Sequence, residues 1–387
     1  MKKYLSYNNK SEHTMKKKYM IFHAPFPLDY NAKSASGIRP VKILKAFGDL
    51  GYEVIEVTGT PAIRMRKMIL VKREIEYGKK IDFMYTESLS STPTIMTGIP
   101  LRPFLDLNFF NFCKMKGIPI GLFYRDIYWR FPYVLRKQSA KIRFIAGIKR
   151  LFFPPELYLY RRSIDKLYVP SMGMAKYVGR FPNAIDELPP GCDTLDIATK
   201  QHKKLPSENI NFIYVGGFGE HYRLHHVYSS IEDNESFNFT ICTREKEWRS
   251  CCHGYTKGKI VPSNIRVTHL WGDDVKELYA NADIAVVCVE ARAYWEFAVP
   301  FKLFEYIGHH KPILASAGTY AGRYVQEMGI GWTIPYSRQA IDDFLNNITA
   351  DEIERKKARV AEVAACSRWV DRAEKVARDM LEQGNAS

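Results

Sequence analysis

Lys302 and Glu305 stand three residues apart in the segment VPFKLFEYIGHHKPILAS (299–316), just behind Pro300. Proline suits the first turn of a helix, and residues three apart share one helix face. A lysine at that turn can meet a phosphate together with the free backbone N–H groups of the helix N-terminus. A glutamate one turn on can accept both hydroxyls of a ribose. The same spacing is that of an ordinary surface ion pair, so the pair alone leaves both readings open. Another carboxylate, Asp126, lies in YRDIYW (124–129) directly after the apolar run IGLFY. At the carboxyl end of a strand it is placed to take a proton from a hydroxyl. His23, closing the run YMIFH, is a lesser candidate for that task. Arg223 and Arg244 are candidate anion contacts, Arg244 ending the strand-like FTICTR. His225–His226, His309–His310 and Cys251–Cys252–His253 have the residue types of metal ligands but not the spacing of a zinc site, and there is no Asp-x-Asp. No metal and no cofactor is expected.

Two α/β patterns must position these groups. In the first half, apolar runs at 19–23, 53–57, 81–85, 119–124 and 167–170 read as strands. Ile38, Val41, Leu44, Phe47 and Leu50 fall at helical spacing between the first two runs and stop at Gly51, which makes a βαβ unit and implies a parallel sheet. A Pro/Gly-rich passage follows, containing LPPGCD (188–193). The second pattern opens with NFIYV and GGFGEHYRL, then strands at 237–243, 265–270, 284–289 and 313–316. Asp273 or Asp274 is expected to cap the helix before the fourth strand of this series. Residues 351–382 read as one long helix. The division is therefore a disordered extension over 1–18, a first domain over 19–185, a linker over 186–206, a second domain over 207–348 and a C-terminal helix over 349–387. Open parallel sheets bind ligands at the carboxyl ends of their strands, so the ligand cleft should lie between the two domains.

Charge is distributed unevenly. Residues 1–190 hold 33 Lys and Arg against 15 Asp and Glu, whereas the remainder holds 24 against 27. The first half should face a polyanion. The densest part is 128–162, with nine basic residues against Glu156 alone, interleaved with Tyr, Phe, Trp, Leu and Ile. Arg136, Lys137, Lys141, Arg143, Lys149 and Arg150 are its membrane-facing candidates, suited to adsorption on an anionic leaflet. No apolar run reaches the length of a membrane span, and no signal peptide is read at the N-terminus. The seven cysteines are an odd number without CxxC pairs and read as reduced thiols. The expected location is the cytoplasm, at the inner face of the cell membrane.

The segment around Lys302 and Glu305 resembles the P-x-K-x-x-E-Y-x-x-x-x-K-P signature of bacterial GT-B glycosyltransferases related to family 4. LWGDDVKELYANADIAVVC (270–288), YVGGFGEHYRL, LPPGCD and ASGIRPVKILKAFGDLGYEV match other stretches of that family in the same order. The resemblance implies two Rossmann-like domains with parallel sheets facing a central cleft, and a C-terminal helix packing back. It implies that Glu305 holds the donor's ribose and Lys302 its pyrophosphate. Gly216 and Gly217 would let the backbone approach the donor, and Gly37 would face its phosphates from the other side. Arg223 or Arg244 would stand in for an Arg–Lys pair that many members carry after the second domain's first strand. The family's earlier glutamate is replaced here by Phe297, with Glu296 one place off. Asp126 as a base implies inversion at the sugar, whereas the family implies retention, and the residues leave that open. The implied activity is metal-independent sugar transfer, with a UDP-sugar the leading donor and a lipid-linked or oligosaccharide acceptor of cell-envelope polysaccharide synthesis. A nucleotide-sugar epimerase, a nucleic-acid binder and a non-catalytic partner subunit are the alternatives. No nucleic-acid-binding motif supports the second of these.

Overall fold

The computed structural model describes residues 17–32, 34–99, 102–131, 140–181, 185–194, 209–219 and 222–386. The first half runs β1 (Lys18–His23), α1 (Ala35–Asp49), β2 (Tyr52–Val57), α2 (Pro61–Glu76), β3 (Phe83–Glu87), α3 (Leu105–Met115) and β4 (Ile120–Phe123). It continues through α4 (Ala140–Arg150), α5 (Phe153–Ser163), β5 (Lys166–Val169), α6 (Met172–Val178) and β6 (Ile185–Glu187). The second half runs β7 (Ile210–Val215), α7 (His225–Glu232), β8 (Phe237–Cys242), α8 (Glu245–Thr256), β9 (Ile265–Thr268), α9 (Val275–Ala280) and β10 (Ile284–Val287). It ends with α10 (Phe301–Gly308), β11 (Ile313–Ser316), α11 (Tyr320–Met328), β12 (Gly331–Ile334), α12 (Arg338–Asn347), α13 (Ala350–Ala365) and α14 (Trp369–Ala386).

Each half forms one six-stranded sheet, in the orders β2-β1-β3-β4-β5-β6 and β12-β11-β10-β7-β8-β9. Every strand pair is parallel. The central strands are apolar throughout, as IAVV of β10 and ILAS of β11 are, because helices cover both faces. Strand order reverses beside β1 in the first sheet and beside β7 in the second. A crevice opens at such a reversal, and Gly37, in the first turn of the helix after β1, and Gly216, in the loop after β7, lie there.

Three details differ from the reading of the sequence. The segment read as one helix over 351–382 is two helices, α13 and α14, parted at 366–368. The break lets the chain turn back: Cys192 N–H donates to Ser367 O at 2.7 Å, and a Cβ at Gly191 would come within 2.6 Å of the Trp369 backbone. From there α14 leaves the second domain and covers the first sheet, where Met380 is fully buried against Gly121 and Tyr168 Oη donates to Asp379 at 3.0 Å. Residues 186–187, read as the start of a linker, belong to β6, and much of the remaining linker lies outside the described residues, as does most of the 1–18 extension. Neither acidic side chain caps α9: Asp273 and Asp274 lie in a short 3-10 turn before it, and no side-chain cap bond forms.

The domains are also joined by a side-chain cluster. Tyr294, Trp295 and Phe297, from the loop between β10 and α10, are buried in the core of the first domain. Phe297 packs on Tyr177 and Phe131 with ring centroids 5.0 and 5.4 Å away, and Tyr294 stacks on Tyr128 at 5.5 Å.

Candidate active site

The two sheets face a cleft of about 1740 Å³ lined from both domains. Gly37, Asp126, Gly216, Gly217, Arg244, Lys302 and Glu305 all line it.

On the second-domain wall, Pro300 is the N-cap of α10 in extended conformation, and Lys302 and Glu305 lie on the first two turns. Lys302 is buried. Its Nζ donates to Tyr214 Oη and sits 3.8 and 4.0 Å from the ring centroids of Tyr214 and Tyr222. A hydroxyl and two ring faces hold this ammonium, and ring faces attract a cation through their quadrupoles. Burial pulls the Lys302 pKa well below that of an ordinary lysine, with Glu305 and Glu247 opposing the shift. Gly216 adopts φ 137°, a region that side chains rarely enter, and a Cβ there would lie 3.1 Å from Lys302 Nζ. The glycine therefore serves both the turn and the lysine. Glu305 is pushed up by burial, an effect that its contact with Tyr279 and the charge of Lys302 oppose. Arg244 sits at the rim, exposed and paired with Glu247 at 2.5 Å.

On the first-domain wall, Asp126 follows β4 and is half-buried. Ile127 N–H donates to Oδ1 at 2.6 Å and Tyr294 Oη donates to Oδ2 at 2.9 Å. Burial raises its pKa to about 6, against the lowering effect of those hydrogen bonds. A carboxylate with that pKa is ionised near neutrality and basic enough to accept a proton in a reaction. Arg125 does not pair with Asp126: Nη2 contacts Glu87 Oε2 at 3.0 Å and Nη1 donates to Ser36 O at 2.8 Å. At Gly37 a Cβ would meet the Ala32 side chain at 2.5 Å, so the loop before α1 can pass only over a glycine.

Other candidates fall elsewhere. His23 is fully buried, bonded through Nδ1 to Thr86 at 2.7 Å and through Nε2 to Asp106 at 2.9 Å, with Arg64 closing on the same carboxylate. Burial lowers its pKa, and it does not line the cleft. Arg223 is exposed outside the cleft lining. Glu296 is exposed and 3.6 Å from Lys176, while Phe297 fills the place beside Gly173 and receives the Ser171 hydroxyl on its carbonyl at 2.7 Å. No carboxylate replaces the family's earlier glutamate at that position. His225 stacks on Tyr255 and His309 on Tyr279. Among the described residues no group of three or more His, Cys, Asp or Glu is arranged to hold a metal.

Of the membrane candidates, Arg136 and Lys137 lie outside the described residues. Lys141, Arg143, Lys149 and Arg150 are on α4, and Lys149 Nζ donates to Thr92 Oγ1 at 2.7 Å. Phe144 and Leu151 nearby are 71% and 73% exposed, and Ile145 and Ile148 are exposed as well. Among the described residues no helix is long and apolar enough to cross a membrane.

Sequence reasoning did not single out Tyr214, Tyr222, Tyr294, Arg39 or Glu87. Tyr222 and Arg39 lie inside segments whose order resembles the family, but aromatic and basic residues carry no spacing signal of their own. Tyr294 acts only through a fold that brings residues 126 and 294 together.

No family model and no curated protein sequence matches the chain. Its fold, however, is shared with solved proteins. It is similar to the sucrose-phosphate synthase of Thermosynechococcus elongatus, with 12% identity, a TM-score of 0.61, and coverage of 96% of this chain and 100% of that one. It is similar to WaaG, a glycosyltransferase involved in lipopolysaccharide biosynthesis, with 14% identity, a TM-score of 0.54 and coverage of 93% and 98%. An Anabaena protein solved in complex with UDP is 12% identical, with a TM-score of 0.59 and coverage of 93% and 98%. These likenesses show the fold: two Rossmann-like domains of the GT-B type facing a central cleft.

Proposed function

We propose that this chain is a glycosyltransferase, a divergent relative of family 4, that moves a sugar from a nucleotide-sugar donor to an acceptor hydroxyl. The observation that carries the reading is Lys302 and Glu305, one helical turn apart at the start of α10, both lining a GT-B cleft beside the glycine turn of 216–217. Lys302 and the α10 N-terminus would receive the diphosphate, and Glu305 the ribose. UDP is the leading nucleotide, in keeping with the Anabaena neighbour solved with UDP.

Asp126 then takes the proton of the acceptor hydroxyl. The freed oxygen attacks the anomeric carbon, the bond from that carbon to the diphosphate oxygen breaks, and the nucleoside diphosphate leaves toward Lys302. Such a single displacement inverts the anomeric centre. The phenylalanine at 297, where the family places a carboxylate, favours this route. Charge on the leaving group is offset by the lysine and the helix dipole, so no step calls for a metal.

The acceptor is proposed to be lipid-linked or an oligosaccharide, in cell-envelope polysaccharide synthesis. The protein would be held peripherally at the inner face of the membrane by α4 and its neighbouring residues. Exposed Phe144, Leu151, Ile145 and Ile148 beside Lys141, Arg143 and Arg150 support that placement, since apolar side chains flanked by cations suit an anionic leaflet.

Melting curves with UDP, GDP, CDP, ADP and NAD test the donor class. A ligand that binds the native state raises its melting temperature. One nucleoside diphosphate should stabilise the wild type and lose its effect in Glu305→Ala. Absence of any response would sink the assignment.

A further inference from the structure

Arg39 lies on the second turn of α1 and lines the cleft, yet is only 4% exposed. Its guanidinium stacks over Phe123 with a separation of 3.5 Å from the ring centroid. Nε is 3.3 Å from Glu87 Oε1, an ion pair without hydrogen-bond geometry, and none of the three guanidinium nitrogens has a hydrogen-bond partner. Leaving so many charged donors unbonded away from water is costly. Arg125, on the same wall, also closes on Glu87, and its Nε has no partner either. Two guanidinium groups thus meet one buried carboxylate. Asp126 is near Arg125, but its oxygens are engaged by Ile127 N–H and Tyr294 Oη. The two guanidinium groups therefore face two carboxylates, and what is left over on this wall is hydrogen-bonding capacity: the three Arg39 nitrogens and Arg125 Nε have no partner.

The N-terminus of α1 faces the same space. Ser34, Ala35, Ser36 and Gly37 line the cleft, Ser34 makes no side-chain cap, and the first turn holds no acidic residue. Free N–H groups and the helix dipole contribute a positive potential there. Arg125 fixes this turn by donating to Ser36 O at 2.8 Å.

We propose that Arg39 and Arg125, with the first turn of α1, form a second anion subsite that takes a phosphate or carboxylate group of the acceptor. The inference rests on the donor reading given above, which puts the nucleoside diphosphate on Lys302 and the α10 N-terminus. It gives the turn of Gly37 to the acceptor, in place of the donor-phosphate role that the family resemblance implies for it. The subsite lies beside Asp126, on the side from which the acceptor hydroxyl must approach. Arginine forks match planar carboxylates and phosphates in a bidentate manner, so an anionic acceptor would be oriented as well as bound. The acceptor class is therefore anionic: a sugar carrying a carboxylate, or one joined to its carrier through phosphate.

The test is titration of inorganic phosphate, and separately of glucuronate, into the full-length chain, alone and saturated with UDP. At least one of the two anions should bind the UDP-saturated wild type. Arg39→Gln and Arg125→Gln should each weaken that binding about 10-fold or more, the scale of one charge-assisted contact, while UDP affinity stays within about twofold. Arg39→Lys, which keeps the charge and loses the fork, guards against a folding defect and should bind with intermediate affinity. If neither anion binds the UDP-saturated protein, or if the variants bind as the wild type does, the subsite is refuted. If Arg39→Gln and Arg125→Gln weaken UDP binding as much as Lys302→Ala does, the groups serve the donor and the acceptor assignment falls. Should UDP fail to bind at all, the donor reading fails by itself. Loss of anion binding in the variants would still support the subsite.

Discussion

The two walls of the cleft are built by different means. The second-domain wall draws Lys302 and Glu305 from one turn of α10, and holds Lys302 with a hydroxyl and ring faces. The first-domain wall collects Arg39, Glu87, Arg125 and Asp126 from α1, β3 and the segment after β4. There the cations meet a buried carboxylate, and Asp126, the proposed base, accepts a hydrogen bond from Tyr294, which reaches across from the second domain. A ligand-receptive lysine in a locally encoded turn suits recognition of a common part, the nucleoside diphosphate. A wall assembled from distant segments can change one element at a time, as suits a variable acceptor. Tyr294 ties the two together, since its hydroxyl donates to Asp126 from the second domain.

This division of labour makes predictions of decreasing size. Asp126→Asn should lower turnover by about 10²–10⁴, the usual worth of a general base, while leaving UDP affinity within about twofold. Near-normal turnover would remove the base from the first wall. In the wild type, kcat/KM should fall as pH drops below about 6, where Asp126 protonates. A flat profile from pH 5 to 7 would argue against it equally. Replacing Lys141, Arg143 and Arg150 by Gln should release the protein from anionic vesicles by about 10²-fold, at roughly 1 kcal/mol per cation near the surface. Unchanged vesicle binding would separate the first domain's charge from any membrane role. The last effect concerns the stability of the first domain. Glu156 accepts the N–H groups of Thr94 and Ile95, and burial raises its pKa to about 8. Its stabilising proton is present below the ordinary carboxylate pKa and is lost as pH rises through 8. Its contribution should decline across that window by at most about 1.4 kcal/mol per pH unit. Chemical denaturation should find Glu156→Gln flatter than the wild type between pH 5 and 8, and parallel curves would contradict the shift.

The same contrast decided what could be read from the sequence. Strand runs, the βαβ order and the Pro–Lys–Glu spacing are local patterns, so the two sheets and the α10 pair were legible. The break between α13 and α14 was not, because Val360, Val363, Val370, Val376 and Met380 keep an apolar face on both sides of it. The contacts of Ser367 with Cys192 and of Trp369 with Gly191 show why the chain turns there. Asp126 could be found from its place after a strand, but neither its partner Tyr294 nor the Arg39–Glu87–Arg125 group could. Those contacts join residues 38 to 168 positions apart, and no periodicity links them. His23 looked similar to Asp126 in sequence, yet its side chain points into the domain core at Thr86 and Asp106.

The central claim is that the nucleoside diphosphate belongs to the second-domain wall. Calorimetric titration of UDP into the wild type, Lys302→Ala, Glu305→Ala and Asp126→Asn tests it most directly. The account predicts binding to the wild type and Asp126→Asn with similar affinity, and losses of about 10-fold or more in Lys302→Ala and Glu305→Ala, as expected for a charge-assisted contact. Equal affinity in all four proteins, or a loss confined to Asp126→Asn, would contradict it.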